Sequence, residues 1–167
     1  EHDAGANATP LAPMAAVALG LAAQRTRSKP LLFGARAAID ATLRQPQTQG
    51  LWSAVDADAT GVCRLADLSW QAYWLCRWQD EVEVHPRIPP FLDAYVTRLL
   101  SLQKHGGHIP AGVDPTTGHA ERFQARTAAT ALHLMLLCRY HRVRKDARVL
   151  QAARRAANFV IRAIIKP

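Results

Sequence analysis

A chain of 167 residues with 49% hydrophobic content is long enough to bury one core and too apolar to be disordered. Its 21 Lys and Arg against 13 Asp and Glu give a net charge of +8, which permits a polyanionic partner. The cations are scattered, however, and Arg148, Arg154, Arg155 and Arg162 fall on the outer face of the last expected helix, as a solvated face does, so nucleic acid is not expected. Three widely spaced cysteines, Cys63, Cys76 and Cys138, exclude a disulfide scaffold and a cysteine zinc cluster.

Residues 1–9 read as a loop or frayed end, and the first helix is expected from about Pro10 to Arg25, apolar nearly all round through Met14, Val17, Leu19 and Leu21. Its apolar run, Ala12 to Ala23, is shorter than the roughly 20 residues of a membrane span. Pro30 suits the first turn of a second helix, about Pro30 to Arg44, in which Leu32, Ala35, Ile39 and Leu43 recur at helical steps. A turn-rich loop, Gln45 to Cys63, leads to a third helix of about Leu65 to Asp80, which holds Trp70, Tyr73, Trp74 and Trp78. The fourth, about Pro90 to Lys104, has a stripe of Leu92, Tyr95, Val96, Leu99 and Leu100. A second long loop, His105 to about Arg122, feeds a fifth helix from Thr127 to near His141. That helix is apolar on nearly every side, so other helices should surround it, and Cys76 and Cys138 read as small core residues. Asp146 can cap a sixth helix running to about Ile165, with Leu150, Ala153, Ala157, Val160, Ile161 and Ile164 as its stripe.

The second and third helices repeat as the fourth and fifth, at an offset of about sixty residues. Pro30 answers Pro90, Gln45 answers Gln103, Gly50-Leu51-Trp52 answers Gly107-His108-Ile109, and Val55-Asp56 answers Val113-Asp114. The inner helices end alike, Leu75-Cys76-Arg77-Trp78 against Leu137-Cys138-Arg139-Tyr140. Alternating all-apolar and amphipathic helices, with the long loops at one end, describe an all-α, α/α-toroid architecture, here one domain over residues 1–167 with three hairpins.

The step Leu99-Leu100-Ser101-Leu102-Gln103-Lys104-His105-Gly106-Gly107-His108-Ile109-Pro110 resembles the helix-to-loop step of six-hairpin glycosidase-like proteins. The segment from Asp146 to Phe159 resembles their outer helix. The resemblance covers about residues 30 to 165 and implies about half of a ring, with Glu1 and Pro167 as cut ends. It also implies apolar helix edges where further hairpins would dock, hence self-association. The activity implied is that of a carbohydrate-active enzyme, a hydrolase or lyase, with a sugar epimerase and a non-catalytic carbohydrate-binding module as alternatives. Where the family carries acids at the start of the inner helix, in a pattern like Glu-Ser-Ala-Glu-Thr-Ala, this chain has Phe123-Gln124-Ala125-Arg126-Thr127-Ala128.

Glycoside cleavage needs two carboxyl groups about 5 to 10 Å apart. On the long-loop side the candidates are Glu121 and Asp58, then Asp114 and Asp56, whose equivalent places in the repeat also suit turn formers. Asp67 fits an early-helix acid. Trp52 and Trp70 could offer faces to a sugar ring, whereas Trp74 and Trp78 read as core. His108 and Arg126 are candidate polar contacts. The spacing of His105, His108 and His119 matches no standard zinc pattern, and His133 reads as a hydrogen-bonded core histidine. With no phosphate loop, nucleophile elbow or nucleotide fingerprint, no cofactor is expected.

Overall fold

A computed structural model describes residues 11–52, 62–114, 117, 119–120 and 127–165. Six helices account for most of them: α1 (Ala12–Thr26), α2 (Lys29–Leu43), α3 (Leu65–Glu81), α4 (Ile88–Leu102), α5 (Thr127–Arg144) and α6 (Ala147–Ile165). The fold is all-α, and each helix starts where local chemistry allows. Prolines sit in the first turns of α1, α2 and α4, where their missing N–H costs nothing. Asp146 caps α6, its Oδ1 accepting from the Arg148 N–H at 2.8 Å. α1 and α5 end on Arg27 and Lys145, both in the left-handed region at φ 54° and 53°.

α3 lies between α1 and α5, and α2, α4 and α6 pack on α1, α3 and α5 in turn. The three central helices run parallel, since their C-terminal ends meet. Gln24 Nε2 donates to the carbonyls of Glu81 and Val82, and Arg139 Nη2 reaches Asp80 and Glu81 at 3.0 and 2.6 Å. The core between the layers is filled by Ile39, Leu65, Leu68, Leu75, Trp78, Leu99, Leu136 and Leu137, all fully buried.

Two short strand pairs, unannounced by any periodicity, organise the long loops. β1 (Gln47–Thr48) and β2 (Leu51–Trp52) form a hairpin; β3 (Cys63–Arg64) pairs antiparallel with β4 (Gly112–Val113). The repeat is visible in how each loop is seated. Gly50, at φ +78°, lies against α4 so closely that a Cβ would stand 2.5 Å from the Ala94 carbonyl oxygen; at Gly107, φ +92°, it would stand 2.2 Å from that of Arg155 in α6. Gln47 Nε2 donates to the Phe91 carbonyl and Gln103 Nε2 to that of Ala152. The structural partner of Gln103 is therefore Gln47, two residues beyond the Gln45 that sequence alignment suggests.

The third hairpin differs from expectation on both of its helices. Met135 of α5 is 43% exposed and Cys138 is exposed, because no described helix lies beyond α5 on that side. On α6 the buried residues are Val149, Ala152, Ala153 and Ala156, while Ile161, Ile164 and Ile165 face outward.

Candidate functional site

The loop after α4 is tied to the start of α3. Cys63 pairs with Val113 and Arg64 with Gly112, and the Leu65 N–H donates to the Ala111 carbonyl at 2.9 Å. The wall formed by this loop therefore stands directly over the first turn of α3, where Asp67 sits half-buried. Trp70 lies three residues beyond Asp67 along the helix, a rise of about 4.5 Å.

Below the wall, α3 presents one half-buried stripe: Trp70, Tyr73, Trp74 and Arg77, at steps of three and four. Trp70 and Tyr73 stack nearly parallel, 10° apart with centroids 5.9 Å distant, and Trp74 stands edge-on to both. The Arg77 guanidinium lies 4.7 Å from the Trp74 ring, a contact of about 0.5–1 kcal/mol at a partly exposed position. Glu81 holds Arg77 through both of its oxygens, and Arg139 adds a further bond from α5. Arg77 first, then Arg139, keep Glu81 below the usual carboxylate range. The result is a half-buried aromatic ledge, Trp70 and Tyr73 parallel and Trp74 upright against both, with the ion cluster of Arg77, Glu81 and Arg139 at one end and the loop-tied first turn of α3 toward the other.

A buried network fixes the wall to the helices. His133 Nε2 faces the Pro110 carbonyl at 3.2 Å, and a carbonyl can only accept, so Nε2 carries the proton. Nδ1 then accepts from Ser69 Oγ at 2.7 Å. The Tyr95 hydroxyl, 2.7 Å from Ser69 Oγ and 2.9 Å from the Leu65 carbonyl, shares its one proton between them. Burial pushes His133 down to about 4, a shift the Pro110 carbonyl partly opposes, and raises Tyr95 above its usual value. Ser69, Tyr95 and His133 have no exposed surface, so this serine–histidine pair is sealed from any substrate and serves to position α3, α4, α5 and the loop.

Trp52 is wholly buried, packed on Phe91 and Tyr95 at 4.5 and 4.9 Å, with Nε1 donating to Gln71 Oε1. Its ring faces core side chains and offers no surface to a ligand. Gln71 stands in the repeat where His133 does, and each holds the loop in front of its own helix; this shared anchoring role was readable only from the repeat offset. Trp70 is on the ledge. Trp78 is core, and Trp74 packs partly buried against the core as its spacing suggested, while its ring also stands edge-on to Trp70. Asp114 builds a turn, with Oδ1 accepting from the Thr117 N–H and its own N–H donating to the His119 carbonyl. His108 is half-buried, its ring 5.3 Å from Phe159. Asp56, Asp58, Glu121 and Arg126 lie outside the described residues.

Of the thiols, burial pushes Cys63 up to about 11 and Cys76 up to about 12, which leaves neither reactive at neutral pH. Among the described residues no three His, Cys, Asp or Glu side chains converge as a metal site, and no helix is long and apolar enough to cross a membrane. Comparisons of the chain with protein-family models, with curated proteins and with solved structures found no match.

Proposed function

We propose that the chain forms three hairpins of an α/α toroid of the six-hairpin glycosidase-like type and acts on a polysaccharide or oligosaccharide as a hydrolase or lyase. The observation that carries this reading is the aromatic ledge of α3, placed one to two turns below the long loop. A sugar ring presents C–H groups on its faces and hydroxyls at its edge, so a half-exposed aromatic ring with polar groups around it suits a pyranose. The parallel row of α1, α3 and α5, each backed by its own outer helix, supports the ring.

In this reading the sugar packs against Trp70, which Tyr73 backs, with His108 and Arg126 as polar contacts. Glu121 and Asp58 are the acid and base, while Asp114 is given over to its turn. The carbonyl-to-histidine anchor at Pro110 keeps the wall in register with the ledge. The second reading, a non-catalytic carbohydrate-binding module, is favoured by Phe123 and Arg126 at positions where the resemblance implies acids.

Incubation with neutral and acidic polysaccharides separates the two. Reducing ends indicate a hydrolase and unsaturated ends a lyase. Glu121→Gln and Asp58→Asn are expected to abolish either product while sugar binding persists. Binding without product in the unaltered chain establishes the module, and neither binding nor product refutes both readings.

A further inference from the structure

The repeat shows what should cover each central helix. Arg27 and Lys145, the left-handed residues that end α1 and α5, bring those helices into register, and the paired ends Leu75-Cys76 and Leu137-Cys138 do the same for α3 and α5. On this alignment Leu19 of α1 corresponds to Leu75 and Leu137. Both of the latter have no exposed surface, whereas Leu19 is 39% exposed. Cys138 likewise corresponds to Cys76, which is buried within reach of Arg139 of α5; Cys138 is exposed. The two mismatches fall on opposite edges of the row. Leu137 falls one turn after His133, which bonds Ser69 of α3, and Leu75 one turn before Trp78, which stands against Gly20 of α1, so both share the side that meets the preceding central helix; Cys76 lies two turns after Ser69, on the side that meets the following one. The remaining large exposed apolar side chains follow the same division: Leu11 and Phe33 on the first hairpin, Met135, Val143, Ile161, Ile164 and Ile165 on the third. Among the described residues the middle hairpin leaves out only Val84.

We propose that a second copy of this chain covers both edges. The row α1–α3–α5 of one protomer continues into α1 of its partner, with Cys138 taking the buried place of Cys76 and Leu19 that of Leu75. Each edge is one half of a contact the chain already makes twice within itself, so the occupant is argued from the molecule's own packing. The contact joins two different faces, and such heterologous contacts end only where the rotation closes. Two sets of three hairpins close one ring of six, a step that rests on the toroid reading above.

Sedimentation velocity and thiol labelling of the 167-residue chain test this. The proposal expects a two-copy mass at tens of micromolar, and Cys138 labelling that slows at least tenfold between dilute and concentrated samples, because Cys138 is the exposed thiol among the three. Leu19→Glu and Cys138→Glu, both at exposed positions, should each give a monomer with unchanged helical circular dichroism. An equimolar mixture of the two should partly restore the two-copy species, since one of its junctions is unaltered. A monomer at all concentrations overturns the proposal and leaves the sugar-ledge reading to its own test. A dimer broken by only one of the two substitutions overturns the head-to-tail contact. A ladder of larger species overturns closure at two copies, and the toroid with it.

Discussion

His133 should make stability depend on pH over a defined window. Folded, its imidazole is held at about 4 by burial; unfolded, it returns to about 6.5. Between these values the unfolded chain binds a proton that the folded chain refuses, so stability falls as pH is lowered from 6.5 to 4 and this contribution is flat outside the window. A difference of about 2.5 units at 1.36 kcal/mol each amounts to about 3 kcal/mol, a large part of a typical domain's stability. Other groups titrate in the same range, so the quantity to measure is the difference between the wild-type chain and His133→Gln, which retains a donor for Pro110 but no titration. Urea unfolding followed by tryptophan fluorescence at intervals from pH 4 to 8 gives that difference directly. Above pH 6.5 wild type should be the more stable, by about 1–3 kcal/mol, the cost of disturbing a buried hydrogen bond. Toward pH 4 its advantage should shrink by about 3 kcal/mol and can reverse. A difference that stays constant across the window refutes the buried neutral histidine and the network built on it.

The loop seats give a second test. Gly107→Ala and Gly50→Ala should each destabilise by about 1–3 kcal/mol in thermal unfolding, because both combine a left-handed backbone with a carbonyl that a Cβ would strike; a negligible effect at either glycine contradicts the seating. Tyr95→Phe removes the hydroxyl that bridges Ser69 and the Leu65 carbonyl and should cost about 1–2 kcal/mol. Trp52 and Trp70 should separate stability from binding. Trp52→Ala is expected to cost about 3–5 kcal/mol, as for a buried aromatic, whereas Trp70→Ala should alter the unfolding midpoint far less.

The helices were legible because their signals are local. Prolines at 30 and 90 fall in first turns, Asp146 caps as its type suggests, and the stripe of α4 matches its periodicity, with Ile88 extending the helix two residues ahead of Pro90. Loop structure was not legible, since strands of two residues have no period to detect. Trp52 looked like a surface ring because it lies in a loop, yet Phe91, Tyr95 and Gln71, distant in sequence, close over it. For α5 the apolar pattern announced burial on all sides, but a pattern does not say which neighbours are present, and Cys138 lies on the side that α3 and α6 leave open. Of the aromatic ledge, the half-buried place of Trp70 near a helix start was legible from its position, while the ledge as a whole needed the relative orientation of Tyr73 and Trp74.

The central claim is that a sugar lies on the α3 ledge. Tryptophan fluorescence titrations with neutral and acidic oligosaccharides, run on wild type and on Trp70→Ala, test it most directly. The account predicts saturable binding of at least one class by wild type, weakened about two- to tenfold in Trp70→Ala through loss of roughly 0.5–1.5 kcal/mol of stacking. No binding of any oligosaccharide, or equal affinity in the two proteins, would contradict it.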